Sequence, residues 1–195
     1  MLRLFSFLFL AACATEATEN TFVEAPDPAQ SDSLIVYQFP EDWTGIWSGD
    51  LRILSTEGLQ QTVPMSLEIL PQDTSDRWTY NLIYGEDRAA GLRAYELEPI
   101  DPARGRWAID ERNSIRMEAY QFENQIVQRF EVMGNMLETI MELYAPDELR
   151  WEILSGSMEA VSTTGDQVFE GEEIPPVKTY PIRVRQTAVL RREID

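Results

Sequence analysis

The sequence predicts an all-β protein that folds as an antiparallel, up-and-down barrel of about eight to ten strands. The first observation is an alternation of apolar and polar side chains after Gly45, with Trp47, Leu51 and Ile53 on one face. A period of two is typical of a strand with one buried face. The second observation is that this alternation returns at intervals as far as Leu190, with turn residues between the repeats. No convincing long helical pattern interrupts the series.

Each later strand is bounded by turn residues such as Pro, Gly, Asp and Asn. After the first strand, the predicted strands cover 62–70, 78–84, 92–99, 106–110, 114–122, 126–133, 136–144, 149–161 and 180–190. Gly134-Asn135 predicts a two-residue type II′ hairpin turn. Residues 165–178 form a predicted long acidic loop, and residues 34–37 a short edge strand.

A long run of strands must protect its two edges, because an open edge invites pairing with another chain. The economical solution is a closed barrel in which the last strand returns to pair with the first. A sandwich of two sheets is the alternative architecture.

The composition excludes several classes of function. The net charge is −18, whereas nucleic acids and anionic lipid surfaces attract clustered Lys and Arg. The chain contains no His, which removes the Ser-His-Asp arrangement, a His-ligated haem and the usual zinc sites. Acidic residues of the 165–178 loop lack the spacing of an EF-hand. The sequence therefore predicts no nucleic-acid partner, no cofactor and no metal site, and we expect the protein not to be an enzyme.

The N-terminus carries a short basic start, an apolar run from Leu4 to Leu10, and then Ala11-Ala12-Cys13. This segment resembles a bacterial lipoprotein signal with its lipobox, in which the Cys is acylated. The resemblance implies a signal peptide over 1–12 and a lipid anchor at Cys13. Ala14, rather than Asp, follows the Cys. That resemblance implies a protein anchored in the bacterial envelope, at the outer membrane and facing the periplasm.

Composition also divides the rest of the chain. Residues 14–33 are mainly Thr, Glu, Ala, Pro, Asp and Ser, a composition that buries too little apolar area to fold by itself. We interpret 13–33 as a lipidated Cys followed by a disordered tether, and 34–195 as the barrel domain.

The first strand opens with Gly45-Ile46-Trp47 after a short turn. This resembles the Gly-x-Trp signature of the lipocalins and their calycin relatives. The resemblance implies structural roles for Gly45 and Trp47: the Trp closes one end of the barrel and an Arg of the last strand packs across it. Arg183 or Arg185 would then be that Arg.

Arg93 and Tyr95 lie on one face of the fourth predicted strand. If that face is inward, a buried guanidinium and phenol would hold a carboxylate, as the resemblance to fatty-acid-binding calycins also implies. If it is not, Arg93 faces water or pairs with an acid. The other predicted ligand contacts are inward apolar and aromatic residues, which either line a cavity or fill the barrel: Met65, Leu67, Trp78 and Tyr80.

These observations lead to two hypotheses of function. The first is an envelope lipoprotein whose barrel binds a small apolar or amphipathic ligand. The alternative is an accessory outer-membrane lipoprotein that acts through its outer surface on a protein partner, whose identity the sequence leaves open.

Replacing Cys13 with Ser should release the protein to the soluble fraction, because the acyl chains would no longer hold it on a membrane. Membrane fractionation and intact-mass measurement of the wild type and of Cys13→Ser test this. A variant that stays in the membrane fraction, with no acyl mass lost, would contradict the expectation.

Overall fold

The structure is a computed structural model that describes residues 35–194. It contains fourteen strands: β1 (Gly45–Ser55), β2 (Gly58–Pro71), β3 (Trp78–Tyr84), β4 (Leu92–Asp101), β5 (Arg106–Asp110), β6 (Arg116–Phe122), β7 (Gln125–Val132), β8 (Asn135–Ala145), β9 (Glu148–Ser157), β10 (Ser162–Thr164), β11 (Gln167–Phe169), β12 (Glu172–Ile174), β13 (Val177–Thr179) and β14 (Val184–Arg192). One helical turn, α1, covers Arg88–Gly91, and 3-10 turns cover Glu41–Trp43 and Pro102–Arg104. Within residues 35–194 no helix is long and apolar enough to cross a membrane. The predicted signal peptide, Cys13 and the tether lie outside the described residues.

Ten strands form one closed antiparallel barrel in the order β1-β14-β9-β8-β7-β6-β5-β4-β3-β2. The barrel closes because β1 pairs with β2 on one side and with β14 on the other, so that Trp47 lies between Leu67 and Arg192. The predicted antiparallel up-and-down barrel, with its last strand paired to its first, is therefore confirmed. The alternative of a two-sheet sandwich is not formed.

The interior of the barrel has two halves, which we call the floor and the cup. The floor consists of inward residues that are almost fully buried, among them Trp47, Leu67, Ile69, Leu97, Trp107, Ile126, Met141, Leu143, Leu149, Trp151 and Leu190. Across it, the Tyr80 hydroxyl meets Met141 Sδ at 3.7 Å. Since β3 and β8 are on opposite sides of the ten-strand order, this contact spans the barrel.

Aromatic rings seal the floor from below. Phe39 stands edge-on to Trp43 and to Trp107, with ring centroids 5.1 and 4.9 Å apart. Asn124 holds the chain that leads to these rings: its Oδ1 accepts from Tyr37 N at 2.8 Å, and its Nδ2 donates to Ile35 O at 2.6 Å. The edge strand predicted for 34–37 does not form within the described part, because side-chain hydrogen bonds to Asn124 replace a strand partner there.

Arg192, rather than Arg183 or Arg185, is the arginine that packs across Trp47. Its guanidinium carbon lies 4.1 Å from the centroid of the Trp47 ring, a cation–π arrangement. The register between β1 and β14 explains why Arg192 takes this place, because Arg192 is the β14 residue that pairs with Trp47. Arg183 is exposed, and Arg185 pairs with Glu152 on the outer face, with Nη2 2.6 Å from Oε2.

The same guanidinium ties β14 to two other segments, residues 42–44 and the β8–β9 turn. Arg192 Nη2 donates to Asp42 O at 2.7 Å, Nε donates to Pro146 O at 2.9 Å, and Nη1 donates to Thr44 O. Gly45 makes room for it, because a Cβ there would lie 2.8 Å from Arg192 Nη1. Burial lowers the pKa of Arg192, and the nearby Asp42 and Asp147 carboxylates oppose that shift.

The β7–β8 turn differs by one residue from its prediction. Val132 pairs with Asn135, so the two loop residues are Met133 and Gly134, with φ of 50° and 76°. Positive φ at both loop positions defines a type I′ turn rather than the predicted type II′. Gly134 takes the second position without steric cost, and Met133 is 94% exposed.

The long acidic loop predicted for residues 165–178 contains short strands instead. β10 pairs with β13 and β11 with β12, which makes two short ladders outside the barrel. Glu170 and Gly171, both with positive φ, form the tight turn between β11 and β12. Consequently β9 ends at Ser157 instead of reaching Val161, and β14 begins at Val184 instead of at residue 180.

Replacing Arg192 with Ala should lower the free energy of unfolding by about 2 kcal/mol, through lost charge-assisted hydrogen bonds and the lost Trp47 contact. Urea unfolding followed by Trp fluorescence measures the change. The matched control is Arg191→Ala, because Arg191 is an exposed neighbour that pairs only with Glu148 in the described structure. That exposed pair should cost less than about 1 kcal/mol. Equal losses in both variants would contradict a special role for Arg192.

Candidate ligand site at the open end of the barrel

The cup is the upper half of the barrel interior, above the level of Tyr80 and Met141. Its inward side chains are partly exposed, in contrast to those of the floor. They come from all ten barrel strands except β5: Ile53, Val63, Tyr84, Tyr95, Met117, Phe130, Leu137, Thr139, Ile153 and Gln186. The inward side chains are therefore almost fully buried at one end of the barrel and partly exposed at the other.

Strand number explains why the cup stays open. An eight-stranded barrel is just wide enough for its own side chains or for one small ligand, and the diameter grows with the number of strands. This barrel has ten strands, and its floor is filled largely by Trp, Leu and Ile. The cup carries aromatic residues such as Tyr84 and Phe130 together with polar Thr139 and Gln186, and these side chains remain partly exposed.

Arg93 lies at the rim of the cup. It pairs with Leu82 in the register and so faces inward, on the same face as Tyr95 and Leu97. Its side chain is nevertheless exposed, and its Nη1 donates to Leu92 O at 3.1 Å. Of the two alternatives for Arg93, a buried guanidinium and an exposed one, the exposed one is observed, because Arg93 is the second residue of β4, where the strand has only just entered the wall.

A tight turn places Arg93 beside β3. Asp87 caps α1, since its Oδ1 accepts from Ala89 N at 3.0 Å and from Ala90 N at 3.1 Å. Gly91 then passes so close to β3 that a Cβ would lie 1.9 Å from Tyr84 O. Only Gly, which has no Cβ, can lie this close to the backbone of Tyr84. The chain therefore begins β4 beside the end of β3.

Two phenols face the cup near Arg93. Burial raises the pKa of Tyr84 to about 12, with a smaller contribution from Tyr95, while the Arg93 charge acts in the opposite direction. Burial also raises the pKa of Tyr95, followed by the charge of Glu111. Both phenols are therefore neutral at physiological pH, with the Arg93 charge near both and the Glu111 carboxylate hydrogen-bonded to Tyr95.

The other predicted ligand contacts lie deeper. Met65, Leu67 and Tyr80 are 2%, 0% and 4% exposed and belong to the packed interior. Trp78 is partly buried and stands edge-on to Trp107, with centroids 6.0 Å apart. The structure thus places Arg93 and Tyr95 at the cup, and the four remaining residues mainly in the core. Whether any of them touches a ligand stays a prediction.

Sequence reasoning missed the polar residues of the cup wall. Gln128, Thr139 and Gln186 face inward on one continuous row of pairs that also contains Ile153. A signal was present in the sequence, because Gln128 interrupts the apolar positions Ile126 and Phe130 on a buried face.

Within residues 35–194 no group of three or more acidic, His or Cys side chains is placed to hold a metal ion.

A cavity lies on the outer surface of the barrel. It has a volume of about 670 Å³ and lies between the outer faces of β7 to β9 and the segment 178–182. Its apolar lining includes Met136, Leu154 and Ile182, and its charged lining includes Arg129 and Lys178. It is separate from the cup, because residues such as Met136 and Leu154 point away from the interior.

No protein-family model matches this chain, and no curated protein matches it. Solved structures with a similar fold include a protein of unknown function of the DUF3598 family from Nostoc punctiforme PCC 73102. It has a TM-score of 0.56 and 12% identity, over 81% of this chain and 50% of that one. The chain thus spans half the length of that protein. An S-type phycobiliprotein lyase from Guillardia theta has a TM-score of 0.49 and 10% identity, over 80% of this chain and 90% of that one.

At these identities the likeness concerns the fold alone. The closed antiparallel barrel fits the lipocalin-like fold that the sequence predicted. The prediction that the protein is not an enzyme is corrected, because neither the composition nor a barrel fold excludes catalysis.

The raised pKa of Tyr84 makes stability fall in alkaline solution. The unfolded phenol loses its proton near pH 10 while the folded phenol keeps it to about pH 12, so the contribution present below pH 10 is lost as pH rises between these values. The fall in unfolding free energy from pH 8 to pH 11 should be about 1.4 kcal/mol smaller in Tyr84→Phe than in the wild type. Urea unfolding at both pH values measures this. An identical fall in both proteins would show that Tyr84 is well solvated.

Proposed function

We propose that this protein binds a small apolar or amphipathic ligand in the cup of its barrel. One observation supports the proposal above all: inward residues change from almost fully buried in the floor to partly exposed in the cup. Concave sites with mainly apolar walls and a few polar groups are typical of small-molecule binding. The walls here are apolar at Ile53, Met117 and Phe130, among others.

The rim favours a ligand with an acidic group at one end. The guanidinium of Arg93 and the neutral phenols of Tyr84 and Tyr95 are hydrogen-bond donors, and a carboxylate accepts from both kinds of group. The apolar part of the ligand would lie in the cup, and the acidic group would meet Arg93 at its mouth. Since Arg93 is exposed, solvent weakens its contact, and apolar burial supplies most of the affinity.

The charge of the whole chain acts against an anionic ligand at long range. With a net charge of −18, the protein repels anions instead of steering them to the mouth. Binding of an acid would therefore depend on short-range contacts, and salt should accelerate association by screening the repulsion.

The sequence hypothesis of a lipid anchor remains part of the proposal. Acylation at Cys13 and a tether over residues 14–33 would hold the barrel at a bacterial envelope, on the periplasmic side of the outer membrane. The lipobox-like sequence supports this, and the Cys13→Ser fractionation tests it independently of ligand binding.

The alternative function, action on a protein partner through the outer surface, has its own supporting observation. Exposed apolar side chains recur between residues 161 and 182, and Tyr180 and Ile182 among them line the outer cavity: Val161, Val168, Phe169, Val177, Tyr180 and Ile182. Concentrated surface hydrophobicity marks interaction sites in many proteins. A wild-type barrel that takes up no apolar ligand would favour this function.

Replacing Arg93 with Met keeps the bulk of the side chain and removes its charge. The variant should bind decanoic acid about tenfold more weakly than the wild type, because a charged hydrogen bond is lost. Its affinity for decanol should change less than about twofold, since decanol carries no charge. Displacement of the neutral fluorescent probe N-phenyl-1-naphthylamine measures both competitors.

Arg104→Met is the matched control, because Arg104 is 81% exposed on the turn that joins β4 to β5 and loses the same charge. It should leave both affinities unchanged. Equal weakening of acid and alcohol in Arg93→Met would remove the role of Arg93. Failure of the wild type to take up the probe or either competitor would remove the proposed function itself.

A further inference from the structure

Gln128 is a buried carboxamide that faces the interior at the boundary between floor and cup. It is 7% exposed, whereas Ile126 before it on the inward face belongs to the floor and Phe130 after it belongs to the cup. Its Oε1 accepts a hydrogen bond from Thr139 Oγ1 at 3.2 Å. Its Nε2 is buried and has no hydrogen-bond partner within residues 35–194.

An unpaired buried amide costs free energy, and buried polar groups in folded proteins are nearly always hydrogen-bonded. The other unpartnered buried atoms in the described structure are the ring nitrogens of Trp43 and Trp107. Those two indoles are packed edge-on against Phe39 beneath the floor, where no ligand could reach them. Gln128 differs, since its side chain borders the cup.

The wall of the barrel is least continuous beside Gln128. The ladder between β6 and β7 is the shortest in the barrel and extends only from Phe122–Gln125 to Tyr120–Val127. Gln128 is the first residue of β7 beyond it. From there towards the open end, β7 is paired with β8 alone.

We propose that Gln128 is the specificity-determining residue of the cup, and that its Nε2 donates a hydrogen bond to a neutral carbonyl-type oxygen of the bound molecule. This inference rests on the proposed function. It adds a chemical feature to the ligand: an apolar body that carries an uncharged acceptor at depth, distinct from the acidic group that would meet Arg93 at the rim.

The direction of the hydrogen bond follows from the partner of the amide oxygen. Thr139 already donates to Oε1, so the free end of the carboxamide is the NH₂ donor. A ligand oxygen satisfies this donor, whereas a ligand that offers only N–H or C–H groups does not. Discrimination between ligands with and without an acceptor should be large, because a ligand without one leaves the buried donor unpaired.

The test compares two probes of nearly equal shape, benzophenone and diphenylmethane, which differ by one carbonyl oxygen. In the full chain, Gln128→Met should weaken benzophenone about tenfold and leave diphenylmethane unchanged or tighter. The control is Gln125→Met, on the same strand but on its outer face beside Glu142, which should change neither affinity. Displacement of N-phenyl-1-naphthylamine measures both probes in the wild type and in the two variants.

A merely structural role for Gln128 would weaken both probes together or lower stability without changing their ratio, and either result overturns the inference. If the wild type binds the probes and the ratio is the same in Gln128→Met, only the inference fails. If the wild type binds neither probe, the proposed function fails with it.

A second measurement needs no variant and covers the case in which Gln128→Met does not fold. Benzophenone under ultraviolet light abstracts a hydrogen atom from a C–H group near its oxygen, and the two radicals join. In the wild type, the label should lie in the tryptic peptides 117–129 or 130–150, which carry Gln128 and Thr139. Labelling found only in other peptides overturns the inference.

Discussion

Closing ten strands into one barrel creates an interior wider than its own side chains readily fill, and the rest of the structure follows from that constraint. At one end, Trp47, Trp107 and Trp151 take up the width, and Tyr80 reaches Met141 on the opposite wall. At the other end, within residues 35–194, no side-chain hydrogen bond spans the interior, and the inward side chains remain partly exposed. The floor and the cup therefore differ in how completely their inward side chains are buried.

The floor depends on a contact that couples distant parts of the chain. Arg192, at the end of β14, covers Trp47 at the start of β1 and binds carbonyl groups of Asp42, Thr44 and Pro146. The contact thus links the segment below the barrel to the two strands that close it and to the β8–β9 turn. Each of these carbonyl groups would otherwise need another hydrogen-bond donor. One side chain therefore satisfies three backbone acceptors at the closed end of the barrel.

The cup combines two kinds of polar group at two depths. Arg93 at the rim is exposed. Solvent screens its charge, and Arg93 therefore discriminates only weakly between the ligand groups that it contacts. Gln128 lies at the boundary with the floor, is buried, and has an unpaired donor within the described residues. A buried donor discriminates between ligands more strongly than an exposed charge does, because nothing else satisfies it when the ligand lacks an acceptor.

The sequence by itself determined the class of fold, since alternation of side chains and turn residues are local properties. It placed β1, β3 and β5 close to their observed bounds, and it assigned the correct face to Trp47 and Tyr80, while it left the face of Arg93 open. It missed the type I′ turn at Met133-Gly134 and the ladders formed by β10 to β13, because these depend on which residues pair.

Only the tertiary structure decided how far along the barrel each residue lies. A period of two assigns a side chain to the inner or outer face, but the register between strands sets its height. For this reason Arg192 instead of Arg183 or Arg185 covers Trp47, and Arg93 lies at the rim instead of in the core. The unpaired donor of Gln128 was equally out of reach, since a hydrogen bond depends on residues far apart in sequence that only the closed barrel brings together.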